Sequence, residues 1–330
     1  MSIYEYTPAL IYTIILAICI GAAFGSFLNC AAWRIVHGES FLKGRSHCPA
    51  CGHSLTAAEL IPVLSWVFQK GRCKACGDKI SIRYPLTELI FAAVTVLCVL
   101  RFDLSILCLR NFLFLCILFL LTLTDIEDMT IPDGCHIAAV ILWVVTKPFL
   151  FDGWQDILFS VLAAVIFGGG LLLISLLLDR ILGKESLGGG DIKLFAVIGL
   201  YMGLIGTLFV VVIACILGLV FAIIARMRSS DDEEEEEEED SAGQIESKAA
   251  AIASEDESSA SEGETSDSED KSGDSEDKSG DETGDKEEDE EDYEVSEGAF
   301  PFGPWIAIAA GFVLLYGEPM INWYRGLLGV

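Results

Sequence analysis

Long apolar runs separated by short polar stretches make up most of the chain. Several runs approach the roughly 20 residues that an α-helix needs to cross a bilayer, while others are shorter or merge with their neighbours. The pattern predicts an all-α polytopic membrane protein with about eight transmembrane helices, the first of them a retained helix because no basic residue precedes it. The runs lie near residues 9–33, 86–100, 104–124, 134–151, 156–182, 192–206, 207–225 and 303–323.

The positions of lysine and arginine predict how these helices are oriented. None lies in residues 1–33, whereas eight lie in residues 34–83. The positive-inside rule places this basic loop in the cytoplasm and the N-terminus outside. Counting helices from there puts the chain near Asp125, near Asp191 and after Arg228 on the cytoplasmic side, with the C-terminus outside.

The net charge of −28 comes from one segment of the chain. Residues 231–300 hold 33 of the 49 acidic residues and 4 of the 21 basic ones, so the rest is apolar and almost neutral. The segment contains seven consecutive glutamates and repeats the heptad SEDKSGD. Such a composition cannot bury enough apolar surface to offset the entropy of ordering, so we predict a disordered acidic insert. A role in binding a basic partner or in repelling anionic headgroups stays open.

Four of the eleven cysteines form two C-x-x-C pairs in the basic loop. Cys48 and Cys51 make the first pair, Cys73 and Cys76 make the second, and a glycine follows each. Two such pairs can surround one tetrahedral Zn²⁺, and the predicted cytoplasmic location disfavours disulfides. Four thiolates leave no open coordination position, so the predicted zinc is structural and folds the loop. Redox-active dithiols are the alternative interpretation.

Two acidic clusters lie where apolar runs begin or end. One is TDIEDMTIPDG, residues 124–134, and the other is LGGGDIKLF, residues 187–195. Ionisable groups at a membrane boundary are costly and indicate function. Two carboxylates from different helices that share a proton can act as acid and base when water attacks an amide, which is aspartic protease chemistry. The three glycines of the second cluster predict extended or left-handed backbone ahead of the helix.

The residues alone leave the members of such a pair open. In the first cluster, Asp125, Glu127 and Asp128 are equivalent by this reasoning, although the last two also fit water-facing loop charges. Asp133 fits a turn or helix N-cap, and Asp191 on its own could also be an N-cap.

Several motifs together resemble the type IV prepilin peptidase family and cover most of the chain in the family's order, leaving out the acidic insert. The resemblance implies a bifunctional inner-membrane enzyme. It would cleave the short basic leader of prepilins or pseudopilins after a glycine at the cytoplasmic face. It would then N-methylate the new terminal residue with S-adenosylmethionine. The motifs are GSFLNCAAWRI, the two cysteine pairs, IPVLSWVFQKGRCKACGDKISIRYPLTE, DIEDMTIPD, GGGDIKLFAVIG and PFGPW.

The resemblance also assigns roles to residues. Asp125 begins the family's D-x7-D stretch and Asp191 ends its G-x-G-D motif, so these two are implied to be the catalytic pair. The four cysteines of the basic loop match the family's zinc-type knuckles. Val36 stands where many members have proline, which puts only a local turn in doubt. No glycine-rich nucleotide-binding fingerprint is present, so the residues that hold S-adenosylmethionine are not identified.

The resulting domain organisation has five parts. These parts are a first transmembrane helix (1–33), a methyltransferase-associated zinc loop (34–85), a transmembrane protease core (86–228), the acidic insert (229–299) and a last transmembrane helix (300–330). The expected partners are membrane lipid and prepilins, and no nucleic acid is expected.

Two other functions fit parts of the sequence. One is a leader peptidase without methyltransferase activity, against which the cysteine loop argues. The other is a transporter that uses membrane aspartates, which are usually found near the bilayer midplane rather than at helix ends.

Overall fold

The computed structural model describes residues 7–40, 44–151, 153–183, 187–257 and 301–328. Within these ranges every regular element is a helix and no β-strand occurs, which confirms the predicted all-α polytopic class. Seven segments are long and apolar enough to cross a membrane. They are Pro8–Val36, Arg83–Phe102, Ile106–Asp128, Asp133–Leu150, Trp154–Leu182, Gly189–Met227 and Gly303–Tyr324.

Nine α-helices account for most of the described chain. A π-helical turn, Val165–Gly169, joins α6 to α7, and 3₁₀ turns occupy Ala57–Leu60 and Lys147–Leu150. The α-helices are α1 (Thr7–Val36), α2 (Leu64–Phe68), α3 (Arg83–Phe102), α4 (Ile106–Asp128), α5 (Asp133–Thr146), α6 (Trp154–Ala164), α7 (Gly170–Leu182), α8 (Gly189–Glu257) and α9 (Gly303–Leu328).

The predicted count of about eight runs corresponds to seven such segments in the described residues, because two of the runs lie within the one segment Gly189–Met227. The backbone leaves the helical conformation at Gly203, with φ 66° and ψ −172°, between the runs at 192–206 and 207–225. Beyond this break, Thr207, Val210 and Ala214 are completely buried. The stretch after Gly203 therefore packs into the bundle as a separate helical stretch.

Helices α1 and α3 pack very closely through two glycines. A Cβ atom added at Gly21 would lie 2.6 Å from Thr95 Oγ1, and one added at Gly25 would lie 3.0 Å from the Glu88 Cα. Small residues four positions apart allow membrane helices to approach backbone to backbone. Asn29 Nδ2 completes the contact by donating hydrogen bonds to the Gly25 carbonyl and to a threonine hydroxyl of α3.

Helix α4 lies at the centre of the bundle. Phe114 in α4 stacks on Tyr201 in α8 with ring centroids 3.8 Å apart. The Tyr201 hydroxyl donates a 2.8 Å hydrogen bond to the Ala139 carbonyl of α5, so its polar end is satisfied inside the core. Arg83 at the start of α3 pairs with Glu127 near the end of α4 at 3.1 Å.

These contacts gather six helix ends at one end of the bundle, which we call the site end. It comprises the last turns of α1 and α4 and the first turns of α3, α5, α8 and α9. Lys193 in α8 donates a 2.6 Å hydrogen bond to Asp133 in α5, and Gly303 at the start of α9 contacts Asp125 in α4.

Helix α8 continues into the acidic stretch for which disorder is predicted from residue 229. It ends at Glu257, and from Phe221 onward it belongs to a unit distinct from the bundle. Glutamate and alanine have high helix propensity, and a helix that has already begun needs no new nucleation, so these residues extend it. The remainder of the predicted insert, residues 258–299, lies outside the described residues.

We predict opposite effects for two identical substitutions. Gly21→Ala should destabilise the bundle by about 1–3 kcal/mol because the new methyl group overlaps Thr95 and Ala92. Gly170→Ala should be neutral or stabilising by up to about 1 kcal/mol, since it is helical and has open space around it. Thermal unfolding in detergent compares the two, and equal stability of both variants would contradict close α1–α3 packing.

Candidate active site

Asp125 and Asp191 lie at the site end on different helices. Asp125 is three residues before the end of α4 and is 4% exposed, while Asp191 is the third residue of α8 and is 8% exposed. Asp125 Oδ2 and Asp191 Oδ1 are buried without a hydrogen-bond partner, and the two carboxylates are close enough for their charges to interact. Buried polar atoms normally have partners, so two unpartnered oxygens together indicate a reactive site.

Gly303 closes one side of this pair. A Cβ atom added there would lie 2.7 Å from Asp125 Oδ2 and 3.4 Å from Ile131 Cδ1. One added at Gly190, next to Asp191, would lie 2.9 Å from the Ile131 Cβ. Ile131 therefore packs between the glycines of α8 and α9, and both helices can approach α4 only because these positions lack a side chain.

The glycines before Asp191 serve a different purpose from the one predicted. None of Gly188, Gly189 and Gly190 has a positive φ, so of the two predicted conformations, extended or left-handed, the left-handed one is absent. Helix α8 already begins at Gly189, and the absent Cβ of Gly190 allows the close contact with Ile131. The requirement at Gly190 is therefore space rather than backbone conformation.

The other acidic residues near the pair all have different surroundings. Glu127 was predicted to be a loop charge, but it belongs to α4 and pairs with Arg83. Asp128 is exposed and accepts a hydrogen bond from the Thr130 hydroxyl at 3.2 Å. Among the first cluster's candidates, only Asp125 is buried.

Two N-cap interpretations also differ from the structure. Asp133 is the first residue of α5, whose N-cap is Pro132, and it accepts the hydrogen bond from Lys193. Asp191 lies inside α8 and donates its backbone N–H to the Gly188 carbonyl at 3.1 Å. Its carboxylate is therefore not the cap of that helix.

His136 is a site residue that the sequence analysis missed. It lies one turn into α5, is 6% exposed, and faces the backbone of Gly190 and Pro132 without a well-formed hydrogen bond. Its ring interacts electrostatically with Asp133 and Lys193, which places it beside the start of α8. The spacing of three residues from Asp133 was the available signal, because it puts the two side chains on one helix face.

The four loop cysteines form two matching knuckles. The Cys48 N–H donates to the His53 carbonyl at 2.9 Å, and the Cys73 N–H donates to the Asp78 carbonyl at 2.8 Å. The glycine after each pair, Gly52 or Gly77, has φ near +70° to +77° and donates its N–H back to the first cysteine. Each C-x-x-C sequence therefore folds into the same tight turn.

The sulfur atoms of both knuckles meet at one point. All four Sγ atoms lie within 4.8 Å of one another, and Cys48 Sγ and Cys76 Sγ are 4.0 Å apart. Tetrahedral zinc with Zn–S bonds of about 2.3 Å separates its sulfurs by about 3.8 Å, so the cluster fits such an ion. Hydrogen bonds from the backbone N–H groups of Cys76 and Ala75 lower the pKa of the Cys73 thiol, and backbone N–H groups aimed at a cysteine sulfur favour the thiolate that a metal binds.

The fold and the site define a multi-pass helical membrane protein with two buried carboxylates and a four-cysteine cluster. Residues 19–102 match the bacterial peptidase A24 N-terminal domain, and residues 112–223 match the type IV leader peptidase family. The first match contains the four cysteines and the second contains both aspartates. The chain belongs to the type IV leader peptidase family.

Known relatives support this assignment along the chain. A prepilin leader peptidase/N-methyltransferase from Bacillus subtilis (strain 168) is 37% identical over 191 residues, covering 56% of this chain and 71% of the relative. A protein of the same name from Myxococcus xanthus (strain DK1622) is 26% identical over 93% of this chain and 90% of its own length. The type 4 prepilin-like proteins leader peptide-processing enzyme of Escherichia coli O78:H11 is 32% identical, covering 64% and 85%. No solved structure matches significantly.

We predict that Gly303→Ala lowers cleavage of a prepilin about 100-fold, because the added methyl group displaces the Asp125 carboxylate and misplacement of about 1 Å has effects of this size. Gly189→Ala is the matched control, since no atom lies within 4 Å of its added Cβ. The measurement is the initial rate of leader removal by purified variants. Equal rates for both would show that Gly303 does not shape the site.

Proposed function

We propose that this protein cleaves the leader from type IV prepilins or pseudopilins and then N-methylates the new terminal residue. The names of its relatives support both activities. The observation that carries the peptidase proposal is the pairing of Asp125 and Asp191, two buried carboxylates from different helices with one unpartnered oxygen each.

Asp125 and Asp191 act as a general acid and a general base. Two carboxylates in one buried site cannot both ionise readily, so the pair shares a proton. The ionised member takes a proton from water as the water attacks the scissile carbonyl, and the protonated member gives its proton to the leaving amide nitrogen. The free oxygens, Asp125 Oδ2 and Asp191 Oδ1, are available for these two tasks.

The surroundings of the pair suit an extended peptide. A helical substrate must unwind before its amide can be attacked, and the unwound backbone needs room close to both carboxylates. The Asp191 side is open enough that a Cβ added at Gly189 would meet no atom within 4 Å. Asp133 and Lys193 pair with each other, so their charges do not compete for the scissile amide.

The site end is proposed to face the cytoplasm of a cell whose inner membrane holds the bundle. If the two stretches of α8 on either side of Gly203 cross separately, the chain makes eight crossings and both termini lie outside. The eight basic residues of the loop at positions 34–83 support this orientation. The basic prepilin leader also lies on the cytoplasmic side, so the orientation brings the scissile bond to the aspartates.

The cysteine cluster is proposed to hold a structural Zn²⁺, and S-adenosylmethionine is proposed as the methyl donor. Cys48, Cys51, Cys73 and Cys76 would complete the zinc coordination and hold the two knuckles together. When bound, the donor supplies a methyl group: the pilin amine nitrogen bonds to the methyl carbon, sulfur keeps the electron pair of the broken bond, and nitrogen releases a proton to water.

We predict that Asp125→Asn and Asp191→Asn each reduce leader cleavage at least about 100-fold, because an amide keeps the shape of the carboxylate but cannot exchange its proton. Thermal stability should not fall, since each substitution removes a buried charge. Asp128→Asn is the control and should stay within a few-fold of wild type, as this side chain is exposed. Normal processing by Asp125→Asn would overturn the catalytic assignment.

We also predict about one equivalent of zinc per purified chain, measured by elemental analysis. Cys73→Ser should lose the metal and reduce methylation more than cleavage, because the aspartates lie on α4 and α8 rather than in the loop. Cys215→Ser, an exposed cysteine of α8, should change neither metal content nor either activity. Well-folded wild-type protein without zinc would refute the metal site.

A further inference from the structure

A cavity of about 430 Å³ lies between the last turns of α1, the loop that carries the cysteines and the first turns of α3. We propose that this cavity is the binding site for S-adenosylmethionine. The inference deepens the proposed methyltransferase function and rests on it. The volume falls in the range of about 300–1,000 Å³ that is typical of sites for small molecules and cofactors.

Aromatic side chains from three different elements line the cavity. Trp33 comes from α1, Trp66 from α2 and Tyr84 from α3. Aromatic faces stack on nucleobases and attract cations through their negative quadrupole. S-adenosylmethionine combines both chemical features in one molecule, because it carries an adenine ring and a positively charged sulfonium.

A carboxylate in the cavity wall has one oxygen without a hydrogen bond. The Glu59 side chain is 6% exposed, and its Oε1 lies 3.6 Å from His53 Nε2, an ion-pair distance that is too long for a hydrogen bond. Its Oε2 accepts hydrogen bonds from the backbone N–H and the hydroxyl of Thr56. Oε1 therefore keeps hydrogen-bonding capacity that a ligand hydroxyl or amino group can use. The donor's ribose and its amino acid end supply such groups.

The wall that carries Trp66 is held in a strained conformation. Val63, just before α2, has φ 61°, which is rare for a β-branched residue. Its N–H donates a 2.7 Å hydrogen bond to Glu88 Oε2, and Glu88 itself lines the cavity. The Trp66 indole N–H donates to the Ile80 carbonyl at 3.1 Å. Such strain persists where the surrounding structure maintains it, and a fixed wall reduces the entropy cost of binding a ligand.

The cavity adjoins both parts of the proposed chemistry. Cys48 and Cys73 lie in its wall, so the metal cluster supports it directly. Tyr84, another lining residue, follows Arg83, whose guanidinium pairs with Glu127, two residues after Asp125. The Arg83–Glu127 pair therefore links the helix that begins at the cavity to the helix that carries Asp125.

The test measures binding of radiolabelled S-adenosylmethionine to purified, full-length, zinc-containing protein in detergent. Trp33→Leu and Glu59→Gln should each raise the Kd about tenfold. Matched controls are Trp154→Leu, an exposed tryptophan of α6, and Glu39→Gln, an exposed acid outside the cavity, both with unchanged Kd. All four variants should keep their zinc content and leader cleavage, which report a folded bundle.

A second measurement does not depend on the folding of any variant. Ultraviolet cross-linking of the labelled donor to wild-type protein should label peptides that contain Trp33, Trp66 or Tyr84. Excess unlabelled S-adenosylhomocysteine should suppress the labelling more than ATP does. Both competitors carry adenine, so a site that recognises adenine alone would bind them equally, whereas a site for the donor also recognises its amino acid end.

The outcomes separate this inference from the proposed function. If wild type neither binds the donor nor methylates a pilin, the methyltransferase function itself is wrong and the cavity proposal is wrong with it. If wild type methylates and binds, but cross-links map elsewhere or cavity variants bind normally, only the location is overturned. Cross-links in the cavity, together with tenfold weaker binding by folded Trp33→Leu and Glu59→Gln variants, support the cavity as the binding site.

Discussion

The structure depends on the close approach of α8 and α9 to the end of α4. Gly190 and Gly303 allow it, because at either position a Cβ would overlap a neighbouring side chain. Dense packing of this kind buries Asp125 and Asp191 together. Burying carboxylates without partners is unfavourable, so other contacts must hold the helices in place. The stacked rings of Phe114 and Tyr201 provide one such contact deeper in the bundle.

The ionisable residues around the site form two groups, those that pair with an opposite charge and the two buried aspartates. Arg83 pairs with Glu127 and Lys193 pairs with Asp133, so these charges are neutralised locally and also link α3 to α4 and α8 to α5. Among the residues that the structure describes, no cation hydrogen-bonds the free oxygens of the two buried aspartates. The arrangement therefore fixes the helix ends while keeping the carboxylates available for water and substrate.

The sequence predicted the helical class and the candidate residues because both depend on local patterns. Apolar runs determine which segments become helices, and cysteine spacing determines that two knuckles form. The burial of Asp125 rather than Glu127 and Asp128 depends on contacts with α9, which is remote in sequence. The role of Gly190 was misassigned for the same reason, since its neighbour Ile131 belongs to another segment. Likewise, composition alone predicts disorder from residue 229, but it does not take into account that a helix that has already begun can continue through acidic residues.

The division of the site end between two sets of helices gives the proposed two-step reaction a physical order. The aspartates are held by α4, α8 and α9, whereas the cavity beside the cysteines is built on α1, α2 and α3. Before cleavage, the pilin amine does not exist, because that nitrogen is still part of the scissile amide. In the proposed reaction, cleavage at the aspartates would create it, and the Arg83–Glu127 pair joins the helix that ends near Asp125 to the one that begins at the cavity. A product that stays bound to the same enzyme would keep its amine at high effective concentration, which favours methylation before release.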